Sequence, residues 1–221
     1  MNQNPEEIFN INSQYRLISS ISTLRELNLY KTFEEENIKD NEILLILKPE
    51  TIKFSLNLKT SHITLENKRK VATKLDIDDF EFCLTEPGIK YGKRYIEFIL
   101  ESEPFEKNIM IGISLFRNNF KFNESKDFFG FLLSENQKVY NLNGKMKTEK
   151  FGINTKIGDK IGMLFELTLN ERKLSYYINK NYIGIAFENL PNELLFPCVC
   201  LGFPGTKIKV DSEVDFPQLD N

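Results

Sequence analysis

From about Thr51 onward, apolar and polar residues alternate in short runs, and Gly, Asn, Asp or Pro punctuates them at close intervals. A period of two is what a half-buried β-strand requires, and short strands separated by regular turn signals mark an all-β sandwich or barrel. In residues 95–101, Tyr95 and Glu97 alternate with Ile96 and Phe98. Ile109, Ile111, Ile113 and Leu115 share one face of a second run, and Ile161, Met163, Phe165 and Leu167 share one face of a third. In a fourth, Leu174, Tyr176 and Ile178 face one way while Ser175 and Tyr177 face the other. The polar stretch 170–173 and the triplet Asn179-Lys180-Asn181 read as hairpin turns. The runs at 161–167, 174–178 and 182–187 are therefore expected to form an antiparallel meander. Gly112 and Gly184 interrupt strand patterns, as glycines do at bulges and close sheet approaches.

The first fifty residues follow another pattern. Thr23-Leu24-Arg25-Glu26 matches a capping box and predicts a short helix over residues 24–35. A polar stretch then leads into the apolar run 43–47, which Lys48-Pro49 closes because proline cannot donate to a sheet ladder. The expected organisation is an N-terminal appendage over 1–49, a β-sandwich domain over 50–215 and a tail over 216–221.

Composition then narrows the function. A chain of 221 residues holds one large β domain and an appendage. The net charge of -3, with Lys and Arg interleaved among Asp and Glu, argues against nucleic-acid and membrane-surface partners. No stretch approaches the ~20 apolar residues that span a bilayer, and the start lacks the basic and apolar regions of a secretory signal. Three cysteines without framework spacing point to a reducing, cytoplasmic compartment.

Catalytic chemistry has little to work with. The single histidine, His62, reads as a structural or surface residue. Cys198 and Cys200 lie two apart on a strand and share a face, but no second Cys or His pair completes a zinc site. They and Cys83 read as buried thiols. Carboxylate pairs such as Asp78-Asp79 read as solvated turn charges. No catalytic residue, cofactor or metal is expected.

The block 156–202 carries the most specific order in the chain. Gly158-Asp159-Lys160-Ile161-Gly162 precedes an apolar strand and a charged turn. Leu174-Ser175-Tyr176-Tyr177-Ile178-Asn179 and Gly184-Ile185-Ala186-Phe187 follow, then a proline-bearing loop and a last apolar run. This order resembles the second half of a SPRY domain, the core of the B30.2 module. The likeness extends over residues 60–212, through Tyr91-Gly92-Lys93-Arg94-Tyr95-Ile96-Glu97, Ile109–Ser114 and Phe129-Gly130-Phe131. It implies an all-β, SPRY-type antiparallel sandwich that binds peptide segments of partner proteins through loops and is not an enzyme. The chain departs from the family in having no tryptophan: Ile96 and Phe128 or Phe129 stand where the family often carries one. Residues 20–49 resemble the second half of a ubiquitin-like fold. That likeness implies a small helix–strand (α+β) appendage and an adaptor role in ubiquitin pathways.

Arg and aromatic residues on the loops of a rigid scaffold supply binding hot spots. The run 117–123 mixes them, making Arg117, Asn118, Phe120 and Phe122 candidate partner-binding residues, although Phe120 and Phe122, each taken alone, read somewhat better as anchors of the loop into the sandwich. Tyr91 and Tyr140-Asn141, ahead of Gly- or Asn-rich turns, are candidates of the same kind. The alternative role is that of a constitutive subunit of a large protein assembly, docked through the N-terminal segment by strand addition or helix packing.

Overall fold

The computed structural model describes residues 50–76, 79–102, 108–115, 128–133, 135–142, 145–168 and 170–217, with the backbone alone at 141–142, 145–146 and in three short strands upstream. Those three, β1 (Arg16–Ser19), β2 (Arg25–Glu26) and β3 (Leu44–Leu47), form an antiparallel sheet in the order β2-β1-β3. The apolar run before Lys48-Pro49 is thus a strand, as its composition predicts. The predicted helix over 24–35 is not supported. Arg25 and Glu26 pair with Ser19 and Ile18, and no helix occurs among the described residues. A capping box is a four-residue signal, and cross-strand pairing overrides so local a preference. The remainder of 24–35 lies outside the described residues, and the ubiquitin-like likeness finds no support in this sheet.

The sandwich begins with β4 (Lys53–Lys59), β5 (Ile63–Glu66), β6 (Val71–Lys74), β7 (Glu81–Glu86) and β8 (Gly92–Ser102). It continues with β9 (Ile109–Leu115), β10 (Phe128–Leu132), β11 (Gln137–Leu142) and β12 (Lys145–Lys150). The last strands are β13 (Lys160–Leu167), β14 (Arg172–Ile178), β15 (Asn181–Phe187), β16 (Leu195–Leu201) and β17 (Lys207–Asp211). They form two seven-stranded sheets, ordered β12-β11-β10-β9-β16-β7-β4 and β15-β14-β13-β8-β17-β6-β5. Every pairing is antiparallel, and β13-β14-β15 is the expected meander. Its second turn is tight because Asn179 and Lys180 both adopt positive φ, 52° and 70°, as a two-residue hairpin loop requires.

Strand periodicity explains the core. Ile109, Ile111, Ile113 and Leu115 of β9 meet Ile161, Met163, Phe165 and Leu167 of β13 and Leu174, Tyr176 and Ile178 of β14 between the sheets. The Tyr176 hydroxyl donates to the Ile111 carbonyl at 2.8 Å and ties one sheet to the other. The outer faces are apolar as well. Phe82, Met110, Phe128, Cys198 and Cys200 form a second buried cluster. Tyr95, Leu164 and Tyr177 form a third, against which Val214 and Phe216 pack. The central strands are therefore buried on both faces. Glu97 shares that fate: it is 1% exposed, accepts a hydrogen bond from the Tyr95 hydroxyl at 3.1 Å and pairs with Lys180 at 3.3 Å.

Candidate functional site

Register gathers several connections at one end of the sandwich. Leu195 opens β16 opposite Leu115, the last residue of β9, and forms a bridge with Ile89, three residues beyond β7. Phe128, which opens β10, lies opposite Ser114. The segment 87–91, the strand ends at 115 and 128, and the loop 188–194 therefore converge.

Arg172 holds this end together. It is the first residue of β14 and is 7% exposed. Its guanidinium donates from Nε to the Pro191 carbonyl at 2.9 Å, from Nη1 to Lys90 at 2.8 Å and from Nη2 to Glu193 at 3.3 Å. A planar fork of donors suits three carbonyls that lie on two separate loops. Burial lowers the guanidinium's proton affinity, and the nearby Tyr91 opposes that shift. The side chain remains a cation at neutral pH. Gly88 lets the segment pack closely, since a Cβ there would lie 2.8 Å from Leu194 Cγ.

The product of this clamp is an exposed aromatic on a fixed backbone. Tyr91 is 45% exposed. Its ring centre lies 5.8 Å from the Arg172 guanidinium carbon and 5.5 Å from Lys90 Nζ. Beside it opens a cleft of about 330 Å³, with Ile52, Pro87 and Leu194 as apolar wall and Lys90, Lys93 and Arg94 as cations. Arg94 donates to the carbonyl of Glu50, which also lines the cleft.

The other sequence candidates fall differently. Tyr140 lies on β11, four strand spacings from the Ile89 bridge, on the order of 19 Å along the sheet. Its ring packs on Phe187 with centroids 6.1 Å apart, and its hydroxyl donates to Glu149. That bond lowers the proton affinity of the Glu149 carboxyl and raises that of the phenol. Tyr140 is thus half-buried against the core and is not brought to the Tyr91 cleft. Asn141 is a backbone partner of Met146 in the β11–β12 hairpin. Arg117, Asn118, Phe120 and Phe122 lie outside the described residues. Sequence reasoning missed Arg172, Lys90 and Arg94: an Arg in a polar turn gives no sign that a loop 20 residues downstream will bury it.

Burial pushes the Cys83 thiol up to about 12 and those of Cys198 and Cys200 well above their usual value, which disfavours the nucleophilic thiolate. His62 Nδ1 lies 2.9 Å from the Asp76 carboxylate at the opposite end of the sandwich. The bond to His62 is the main reason the Asp76 carboxyl is held low.

Comparison with known families matches the SPRY domain over residues 93–212, more than half of the chain. The chain belongs to the SPRY family. SPRY domains are in general protein–protein interaction modules without catalysis. The SPRY domain of human HERC1 is similar in fold at 20% identity, with a TM-score of 0.62 over 72% of this chain and 98% of that one. Another human SPRY domain shares 15% identity, with a TM-score of 0.57 over 71% of this chain and 98% of that one. The PSpry domain of TRIM65 shares 14%, with a TM-score of 0.54 over 73% of this chain and 90% of that one. No curated protein sequence matches the chain.

Proposed function

We propose that this SPRY domain is a non-catalytic recognition module that seats a short peptide segment of a partner protein at the Tyr91 cleft. The observation that carries the reading is the clamp. Arg172 fixes the backbone of residue 90 while Tyr91 stays exposed beside a cleft large enough for two or three side chains. A rigid aromatic at the mouth of such a cleft is the kind of group that dominates interface energetics, because little entropy is lost when it is covered. Tyr91→Ala is expected to weaken segment binding at least tenfold, and Tyr140→Ala to weaken it far less. Selection of random dodecapeptides displayed on phage against the three proteins checks this. Peptides enriched equally on wild type and Tyr91→Ala would place recognition elsewhere.

An adaptor role in ubiquitin pathways draws no support from the N-terminal sheet. The assembly-subunit reading retains one favourable feature. β3, Leu-Leu-Ile-Leu in sequence, stands at the edge of the order β2-β1-β3 and pairs only with β1 among the described residues, the position at which strand addition proceeds. Under that reading, removing residues 1–49 raises solubility and abolishes partner capture while Tyr91→Ala changes neither.

A further inference from the structure

We infer that the Tyr91 cleft selects an acidic peptide segment, one that places an Asp or Glu carboxylate between Lys90 and Arg94 while an apolar neighbour covers Tyr91 and Leu194. This rests on the segment-binding reading above and adds the chemistry of the partner.

The argument is one of charge placement. The chain as a whole carries a net charge of -3, yet the cleft is lined by three cations and by one acidic residue, Glu50. A fourth cation, Arg172, has its guanidinium carbon 5.8 Å from the centre of the Tyr91 ring. Two of the lining cations are already engaged. Lys93 pairs with Glu166 at 3.1 Å, and Arg94 holds the Glu50 carbonyl. Lys90 is different. It is exposed and makes no ion pair among the described residues, and its contact is with the Tyr91 ring. An ammonium kept over an aromatic face, in a positive local field and beside an apolar wall, is a site for a carboxylate that arrives with an apolar flank. A basic segment meets repulsion here, and a neutral one leaves Lys90 without a counter-charge. Discrimination against both follows from the same residues.

The display selection supplies the test. Enriched peptides are expected to carry Asp or Glu beside an aromatic or aliphatic residue. The best of them, synthesised with a fluorescent label, is expected to lose at least tenfold in affinity on Lys90→Glu and to keep most of it on Lys90→Arg. It is also expected to weaken several-fold between 50 and 500 mM NaCl, where the Debye length shrinks from above 10 Å to below 5 Å. Its Asn/Gln counterpart is expected to bind at least tenfold more weakly. Peptides that depend on Tyr91 but show no acidic bias, or that ignore Lys90→Glu and salt, would overturn the acidic assignment and leave the recognition reading standing. Acidic peptides indifferent to both Tyr91 and Lys90, or no enrichment at all, would overturn both. Displacement of the labelled peptide by a twelve-residue oligothymidylate at equal concentration shows that the cleft answers to any polyanion, and it too overturns the assignment.

Discussion

Replacing Arg172 by alanine is expected to cost on the order of 3 kcal/mol of stability and to abolish segment binding, the larger of the two losses at this end of the sandwich. The guanidinium donates to three carbonyls on two separate loops. Hydrogen bonds with a charged partner contribute roughly 1.5–3 kcal/mol each, and stranded acceptors cost more than the mean. The three are not additive, because one side chain makes them all and the loops relax together once it is gone. The Leu190 amide, which bonds the Arg172 carbonyl at 3.0 Å, keeps part of loop 188–194 in place. What is lost is the tie between residues 90, 191 and 193. Arg172→Lys keeps the charge but replaces the fork by one compact head, so an intermediate loss of stability with most of the binding gone is expected. Urea denaturation with an unchanged slope measures the first effect, and titration of the selected peptide measures the second. A loss below about 1 kcal/mol for Arg172→Ala would mean that water satisfies the carbonyls, and the clamp would not be what positions Tyr91.

Strand faces were legible in the sequence because a period of two is imposed by the pleat itself. All four alternate residues quoted from β9 and all four from β13 lie in the central core. What the period does not reveal is the state of the other face. Met110 and Ser114, on the outward side of β9, are 2% and 0% exposed. The covering residues around Met110, Phe82 and Phe128 among them, come from other strands, and only the three-dimensional order of the sheet brings them together. Charge misleads in the same way. Lys74, a lysine at a strand end, is 1% exposed and donates to the Asp79 carbonyl, which its residue type does not announce. Tyr91 and Tyr140 look alike as aromatics ahead of turns. Position on the strand separates them: Tyr140 is held within β11 and turned to Phe187, whereas Tyr91 stands one residue before β8 begins. The predicted helix over 24–35 failed for a related reason, since the partner that makes Arg25 and Glu26 a strand is β1, several residues upstream.

Gly112→Ala is expected to be the most damaging single-methyl change in the sandwich, with a loss of about 3 kcal/mol or more, the upper end for overpacking. Gly112 of β9 lies opposite Gly130 of β10. A Cβ on Gly112 would overlap the Phe129 carbonyl oxygen and lie 2.5 Å from Gly130 Cα. Both are backbone atoms, so no rotamer change relieves the clash, and β10 has to move away from β9. That movement reaches the site by a short route. β9 also pairs with β16 as far as Leu195, and Leu195 bridges Ile89 at the root of the Tyr91 segment. Gly130→Ala is the control. Its Cβ would press on the Phe128 ring, 2.6 Å from Cε1, and a ring can shift where a carbonyl cannot. A smaller loss, of about 1–2 kcal/mol, is expected there. Chemical denaturation of both variants, with peptide affinity measured below the unfolding transition, separates the cases. If Gly112→Ala is no worse than Gly130→Ala, the two strands have room to part, and the glycine pair is not what sets their spacing.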